Sequence, residues 1–239
     1  MSRRTRFIPS ALAALVLVVL ALPAAAAKSK GRSGDLITTA PNITSARLRS
    51  IALLPVATFD KNFRAENMVA SYVGQNFKDT GHRWISAATT RDMIRSLLGD
   101  SVLTAVREGV LKSGRTDSLH APLLCAKLRA DAVLCVRVDQ WEQAQVLWNQ
   151  SGKPMTSIRL KAALVDSTGS LLWSVSGGET GEGPLHDPST NPLSVSSSGL
   201  DNLPVTGQGG PPPYEEVLNK LLLRWASQFP RLVASEPAK

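Results

Sequence analysis

The sequence has few of the side chains from which active sites and metal sites are usually built. Its 239 residues include two cysteines and three histidines, and the histidines stand at His82, His120 and His186 with no shared motif. No Ser–His–Asp pattern, metal-ligand spacing or phosphate-binding glycine loop follows a predicted strand. We therefore expect no enzyme activity, no cofactor and no metal ion.

Aromatic residues are also few, at 5% of the chain. The first 27 residues carry three of the 27 basic residues and no acidic one, so 24 basic and 19 acidic residues remain. Their net charge of +5 is mild and spread along the chain. A nucleic-acid-binding surface combines clustered basic residues with aromatic side chains that stack on bases. We therefore predict no nucleic-acid partner.

Long hydrophobic runs are absent except at the amino terminus. Three arginines within the first six residues precede the apolar run 11–22, and Ala25 and Ala27 form an A-x-A cleavage site before Lys28. This pattern predicts a signal peptide over residues 1–27. The alternative is an uncleaved anchor, for which the apolar run is short. A lipoprotein requires a cysteine at the cleavage point, and none stands there. We therefore expect a periplasmic protein, either free or peripheral to the outer membrane, with no stable membrane insertion.

The rest of the chain predicts one domain with flexible ends. Residues 28–46 are polar and aperiodic, which indicates a flexible leader. A single domain is predicted over 47–230, followed by a flexible tail over 231–239. Within the domain, the composition changes abruptly over residues 177–213.

The first half of the domain predicts a β-α-β unit. The apolar run Ile51–Val56 is typical of a buried strand, apolar residues at helical spacing follow over 68–77, and Trp84–Ala87 predicts a second strand. Further helices are predicted to begin at Thr89 and Ser118, with another between them.

The second half predicts an antiparallel meander of three strands, over Ala132–Trp141, Ile158–Leu164 and Leu171–Val175. A helix over Tyr214–Phe229 carries an apolar stripe that includes Trp225, so we expect it to dock on the sheet. The predicted fold class is therefore α/β, with a mixed five-stranded sheet flanked by helices.

The two cysteines, Cys125 and Cys135, are an even number in an oxidising compartment, where a disulfide could form. Cys125 is predicted on a helix and Cys135 on the next strand, and the different rise per residue of helix and strand can put the two out of register. A bridge and a pair of buried thiols therefore both remain open.

Residues 177–213 predict a long disordered loop. They contain eight of the 17 glycines, seven of the 15 prolines, four acidic residues and no lysine or arginine. Because these acids oppose an otherwise basic chain, the loop is also a candidate partner site. The candidate contact residues are Glu179, Glu182, Leu185, Asp187 and Asp201.

Three segments carry a resemblance to a known family. They are Ile51–Val56 (IALLPV), Leu128–Leu134 (LRADAVL) and Leu164–Trp173 (LVDSTGSLLW). In order and spacing they resemble the CsgG-like family of bacterial envelope proteins, which includes curli-secretion lipoproteins, penicillin-binding-protein activators and the N-terminal domain of TolB. The resemblance spans about residues 48–177. It implies a mixed sheet flanked by helices and an envelope component that binds partners.

Two departures from that family narrow the predicted function. The lipoprotein cysteine is missing, and no pair of long alternating strands is present that could build a membrane pore. We predict a periplasmic, non-catalytic binding or assembly module, auxiliary to transport or envelope biogenesis. Its partner would be an envelope protein, or further copies of the same chain. The alternatives are an envelope hydrolase, for which Asp139, Glu142 and Asp166 would be the acid–base residues, and a subunit of an outer-membrane secretion complex.

Overall fold

A computed structural model describes residues 34–41, 43, 48–147, 150–185 and 210–231. In this part of the chain, seven strands form one mixed sheet in the order β1-β7-β6-β5-β2-β4, and β3 pairs with β5. The strands are β1 (Leu36–Thr39), β2 (Ser50–Leu53), β3 (Ala57–Thr58), β4 (Arg83–Ile85), β5 (Ala132–Ala144), β6 (Met155–Asp166) and β7 (Leu171–Glu182). The helices are α1 (Phe63–Asn76), α2 (Ala87–Leu98), α3 (Asp100–Ser113), α4 (His120–Leu128) and α5 (Tyr214–Ser227), with a short 3-10 helix at Lys78–Thr80.

The topology confirms the predicted fold class. Strands β2 and β4 run parallel and are joined through α1, while β5, β6 and β7 form the antiparallel meander. The predicted number of strands was too low, because β1 and β3 have only four and two residues. Such short segments carry too few alternating side chains to be recognised from the sequence.

Helices cover both faces of the sheet. On the first face, α1 and α5 pack on side chains of β5, β6 and β7, and on the second face α2, α3 and α4 form a separate buried cluster. The apolar stripe of α5 faces the first cluster, and Trp225 is only 1% exposed. The prediction that this helix docks on the sheet is therefore confirmed.

Two predicted helix starts were wrong. Helix α2 begins after Ser86, whose hydroxyl oxygen accepts a hydrogen bond from the Thr89 N–H. Helix α4 begins at His120, and the Asp117 carboxylate accepts hydrogen bonds from the N–H groups of Leu119 and His120 at this start. Ser118 is therefore not the cap, since an aspartate one residue earlier supplies a stronger, charged acceptor.

Two predicted irregular segments contain regular structure. Residues 36–39 of the predicted leader form β1, which pairs with β7. Residues 177–182 of the predicted loop are the last part of β7, paired with β6 throughout. The prediction was wrong here because glycine has a low strand propensity. Backbone pairing with the adjacent strand β6 overrides that low propensity. The predicted signal peptide, residues 186–209 of the loop and residues 232–239 of the tail lie outside the described residues.

The segment Gly210–Pro213 lies on the sheet before α5 begins. The carbonyl oxygen of Pro212 accepts hydrogen bonds from the side chains of Gln143 and Thr156. A side chain at Gly181 would lie 3.2 Å from Pro212, so glycine leaves the space that this segment fills. The ring of Tyr214 then stacks on Trp141, with centroids 4.5 Å apart.

Candidate partner-binding site

The predicted contact residues of 177–213 do not lie together on a loop. Glu179 is in β7, and its carboxylate lies 2.5 Å from Nη1 of Arg224, which also binds Asp35. Glu182 pairs with Lys153 at the surface, with 2.8 Å between Oε2 and Nζ.

Leu185 is 65% exposed. Asp187 and Asp201 lie outside the described residues. A partner contact at these five positions stays a prediction, and Glu179 has a clear role within the fold.

Cys125 and Cys135 are both buried and both free. The N–H of Thr116 donates a hydrogen bond to Sγ of Cys135, at 3.2 Å. Burial raises the pKa of each thiol to about 12, which keeps both in the neutral form. Both cysteines are thus free thiols in this structure, and a disulfide between them stays a prediction.

The three carboxylates considered for acid–base chemistry each have a partner. Asp139 pairs with Arg137, at 2.6 Å between Oδ1 and Nε. Glu142 accepts a hydrogen bond from the side-chain amide of Gln140. Asp166 accepts backbone N–H groups in the turn after β6. Asp166 pairs with the first residue of β5, whereas the other two lie in the second half of that strand, so the structure does not bring all three together.

The histidines are equally separate. Both ring nitrogens of His82 lie 2.9 Å from backbone carbonyl oxygens, and the residue is buried. His120 contacts Asp117 at the start of α4, with 2.8 Å between Nδ1 and Oδ1. His186 lies outside the described residues. Among the described residues, no three His, Cys, Asp or Glu side chains are placed to hold a metal ion.

A different feature stands out at the carboxyl end of β3, where the chain turns into α1. We call residues 59–63 the phenylalanine loop, because Phe59 is 63% exposed and Phe63 is 69% exposed. The carboxyl ends of parallel strands are where open α/β sheets commonly bind ligands. This loop therefore places two large apolar rings in solvent at a position suited to recognition.

Hydrogen bonds fix the backbone of the phenylalanine loop. The buried Thr58 hydroxyl donates to Glu66 Oε1 at 2.9 Å and accepts from the Asn62 N–H at 3.0 Å. The Asn62 side chain in turn accepts from the Ala65 N–H and caps α1. Asp60 Oδ1 lies 3.2 Å from the Asn62 N–H and also accepts from it. The loop is thus held from both of its ends.

One strained backbone angle and two contacts with arginines complete this arrangement. Lys61 has a φ angle of 55°, a left-handed conformation that is unfavourable for a lysine and persists only where the surroundings impose it. Nη2 of Arg107 in α3 lies 2.5 Å from Oε1 of Glu66, which ties the second face of the sheet to the loop. The guanidinium of Arg137 lies 5.4 Å from the centre of the Phe59 ring, within cation–π range.

The sequence did carry a weak signal for this site. A turn between a strand and a helix is normally polar, yet the segment FDKNF has a phenylalanine at each end in a chain with only five phenylalanines. From the sequence alone these rings were equally compatible with a place in the core. Only the exposed fraction of the two side chains in the folded protein distinguishes a surface position from a core position.

Comparisons with known proteins give similar folds only. No protein-family model and no curated protein matches the chain. One similar structure is the PelC dodecamer from Paraburkholderia phytofirmans, at 17% identity over 80% of this chain and 96% of that one, with a TM-score of 0.40.

Two others are lipoprotein GNA1162 from Neisseria meningitidis and the hypothetical protein CT253 from Chlamydia trachomatis. Their identities are 20% and 10%, each comparison covers 75% of this chain and 96% of the other, and the TM-scores are 0.42 and 0.41. At these levels the likeness carries no argument about function. Membership of the CsgG-like family therefore stays a prediction.

The described helices were also compared with the requirements of a membrane span. Within the described ranges, none is both long and apolar enough to cross a bilayer.

Proposed function

We propose that this protein is an exported, non-catalytic binding module of the bacterial cell envelope, and that it contacts its partner through the phenylalanine loop. The observation that carries the proposal is the exposure of Phe59 and Phe63, both above 60%, on a backbone fixed by hydrogen bonds. The export and the envelope location rest on the signal-peptide pattern and on the CsgG-like resemblance.

The energetics of the exposed rings support a binding role. Burying one phenylalanine side chain contributes about 1.5–3 kcal/mol, which the isolated chain forgoes at both positions. Aromatic side chains and arginines are enriched where binding energy is concentrated, and Arg137 stands beside Phe59. Because the loop is already held in place, a partner would order few additional torsion angles on binding.

The polar groups around the loop support a role in positioning rather than in reaction. Glu66 accepts a hydrogen bond from Thr58 and forms an ion pair with Arg107, and Asp139 forms an ion pair with Arg137. Each carboxylate is thus neutralised by a neighbour, and each bond helps to hold either the loop or the second half of β5. We therefore propose recognition without chemistry.

Site-specific photo-crosslinking in cells tests this function. A benzophenone amino acid would replace Phe59 or Phe63 in the full chain, and Leu97 and Leu223, each 53% exposed on a helix, would be the control positions. The proposal expects a discrete crosslinked product from the loop positions and none from the controls. Products of equal yield at all four positions, or only at the controls, would show that the loop is not the contact site.

A further inference from the structure

The charges of the phenylalanine loop indicate what kind of partner it fits. Resting on the function proposed above, we infer that the partner is an acidic protein segment, which brings carboxylates together with apolar side chains. The loop and the first turn of α1 contain three charged residues outside internal ion pairs: Asp60, Lys61 and Arg64.

These three charges are not equivalent. Asp60 is turned towards its own backbone, because its Oδ1 accepts the Asn62 N–H. Lys61 and Arg64 are exposed, and in the described part of the chain neither enters any of the ion pairs. The two side chains that remain free to meet a partner are therefore both positive.

The surrounding charges do not reverse this balance. Glu66 is paired with Arg107, and Asp139 with Arg137, so each pair is neutral overall. Glu142 is exposed, and its carboxylate accepts a hydrogen bond from the Gln140 side chain. It lies near Tyr214 of α5: burial raises the pKa of the Tyr214 hydroxyl, Arg64 acts to lower it and Glu142 adds to the rise. Asp60 and Glu142 therefore each accept a hydrogen bond within the fold, whereas Lys61 enters no ion pair in the described part of the chain. The amino-terminal end of α1 adds a partial positive charge to the loop.

The apolar part of the site has room for a partner's side chain. Phe59 has the Arg137 guanidinium over one side of its ring, and the residue is still 63% exposed. Phe63 lies four residues further on, with Lys61 between the two rings and Arg64 directly after them. A bound segment would therefore place apolar side chains on the rings and carboxylates beside the flanking cations, where both interactions act together.

Peptide selection tests this chemistry without knowledge of the natural partner. A phage library of random twelve-residue peptides would be selected on the full mature chain, with counter-selection against the double variant Phe59→Ser/Phe63→Ser. We expect enrichment of peptides that combine Asp or Glu with Leu, Ile, Phe or Trp. A synthetic version should bind about tenfold more weakly to the phenylalanine variant, as expected when a central anchor is removed.

The cations are tested with a second pair of variants. Lys61→Gln/Arg64→Gln should weaken binding of the same peptide about fivefold, and added salt should weaken binding to the wild type because exposed charges are screened. The control Lys78→Gln/Lys127→Gln removes two exposed cations elsewhere and should leave the affinity unchanged. Thermal melts confirm that all variants are folded.

The outcomes separate the two proposals. Neutral or basic peptides that depend on Phe59 and Phe63 would overturn the acidic partner and leave the binding function standing. Failure to recover any peptide that depends on the two phenylalanines would overturn both. An equal loss of affinity in the Lys61/Arg64 variant and in its control would also contradict the acidic partner, since it would show a general effect of net charge.

Discussion

At the scale of single residues, Arg224 holds more of the fold than its position on a surface helix suggests. Its guanidinium contacts Asp35, Glu179 and the carbonyl oxygen of Gly178, so one side chain joins α5 to β7 and to the residue before β1. The side chain of Asp35 is only 5% exposed, and a side chain at Gly177 would collide with it. The two carboxylates raise the pKa of Arg224, chiefly through the hydrogen bond with Asp35.

Replacement of Arg224 should therefore be costly. We expect Arg224→Met to lower the free energy of unfolding by about 2 kcal/mol, less than the loss at a fully buried pair but enough to reflect an unpaired Asp35. The matched control is Lys153→Met, which breaks the exposed pair with Glu182 and should cost less than about 1 kcal/mol. Urea unfolding measures the free energy of unfolding of both variants. Equal effects of the two substitutions would contradict the structural role of Arg224.

Asp131 gives the protein a pH-dependent contact between β5 and β2. Its Oδ2 accepts hydrogen bonds from the N–H groups of Arg49 and Ser50, each at 2.8 Å, and from the Ser50 hydroxyl. Burial acts to raise the pKa of Asp131, but the hydrogen bonds together outweigh burial and lower it. A lowered pKa in the folded state means that this contact stabilises the fold above the ordinary value of 3.8, and that the stabilisation is lost as the pH falls towards the folded-state pKa.

The variant Asp131→Asn tests this dependence. It should be less stable than the wild type at neutral pH, and the difference should shrink below about pH 4 as the wild-type carboxylate becomes protonated. Glu108→Gln, at an exposed position on α3, is the control and should follow the wild-type curve. The free energy of unfolding, measured between pH 2 and pH 7, decides. A difference that stays constant across this range would show that ionisation of Asp131 does not matter.

At the scale of elements, regular apolar spacing could be predicted and glycine-rich strands could not. Helix α5 was predicted to begin at Tyr214, where it does begin, because its apolar stripe repeats without interruption. Strand β7 was predicted to end near Val175 but continues to Glu182. Its later residues include Gly178, where a side chain would lie 2.7 Å from the Ile158 carbonyl oxygen. The glycine that weakens the sequence signal is therefore what lets β6 and β7 approach.

This difference changes what a deletion should do. Near both ends of residues 186–209 the backbone is anchored: the Gly183 N–H donates to the Pro154 carbonyl, and a side chain at Gly183 would lie 2.7 Å from the Gly210 carbonyl oxygen. Because the two ends are close, replacing 186–209 by Gly-Ser-Gly should change the stability by about 1 kcal/mol or less.

Deletion of residues 178–213 with the same linker is the contrasting variant. It removes the end of β7, the Glu179 contact with Arg224 and the Pro212 contacts on the sheet. We expect this variant to melt far lower or not to fold, whereas a disordered loop over 177–213, as the sequence predicts, could be removed with little effect on stability. Melting curves of both variants test the difference. A stable fold after the longer deletion would show that the second half of β7 does not support the sheet.

At the scale of the whole molecule, the fold was more predictable than the site. The order of strands and helices follows from patterns that repeat along the chain, such as the stripe of α5 or the alternation in β6. The phenylalanine loop depends on two single residues whose exposure is decided by distant elements. Arg107 from α3 and Arg137 from β5 come together beside the loop only in the folded chain. No local pattern contains that information.

The central claim is that Phe59 and Phe63 hold the protein in a complex of the envelope. Native gel electrophoresis of gently solubilised envelopes tests it most directly, with the wild type, Phe59→Ser/Phe63→Ser and the control Leu97→Ser/Leu223→Ser compared at equal expression. We predict that the wild type and the control migrate in a species larger than the free chain, and that the phenylalanine variant migrates as the free chain alone. Retention of the larger species by both variants, or its loss from both, would contradict the account.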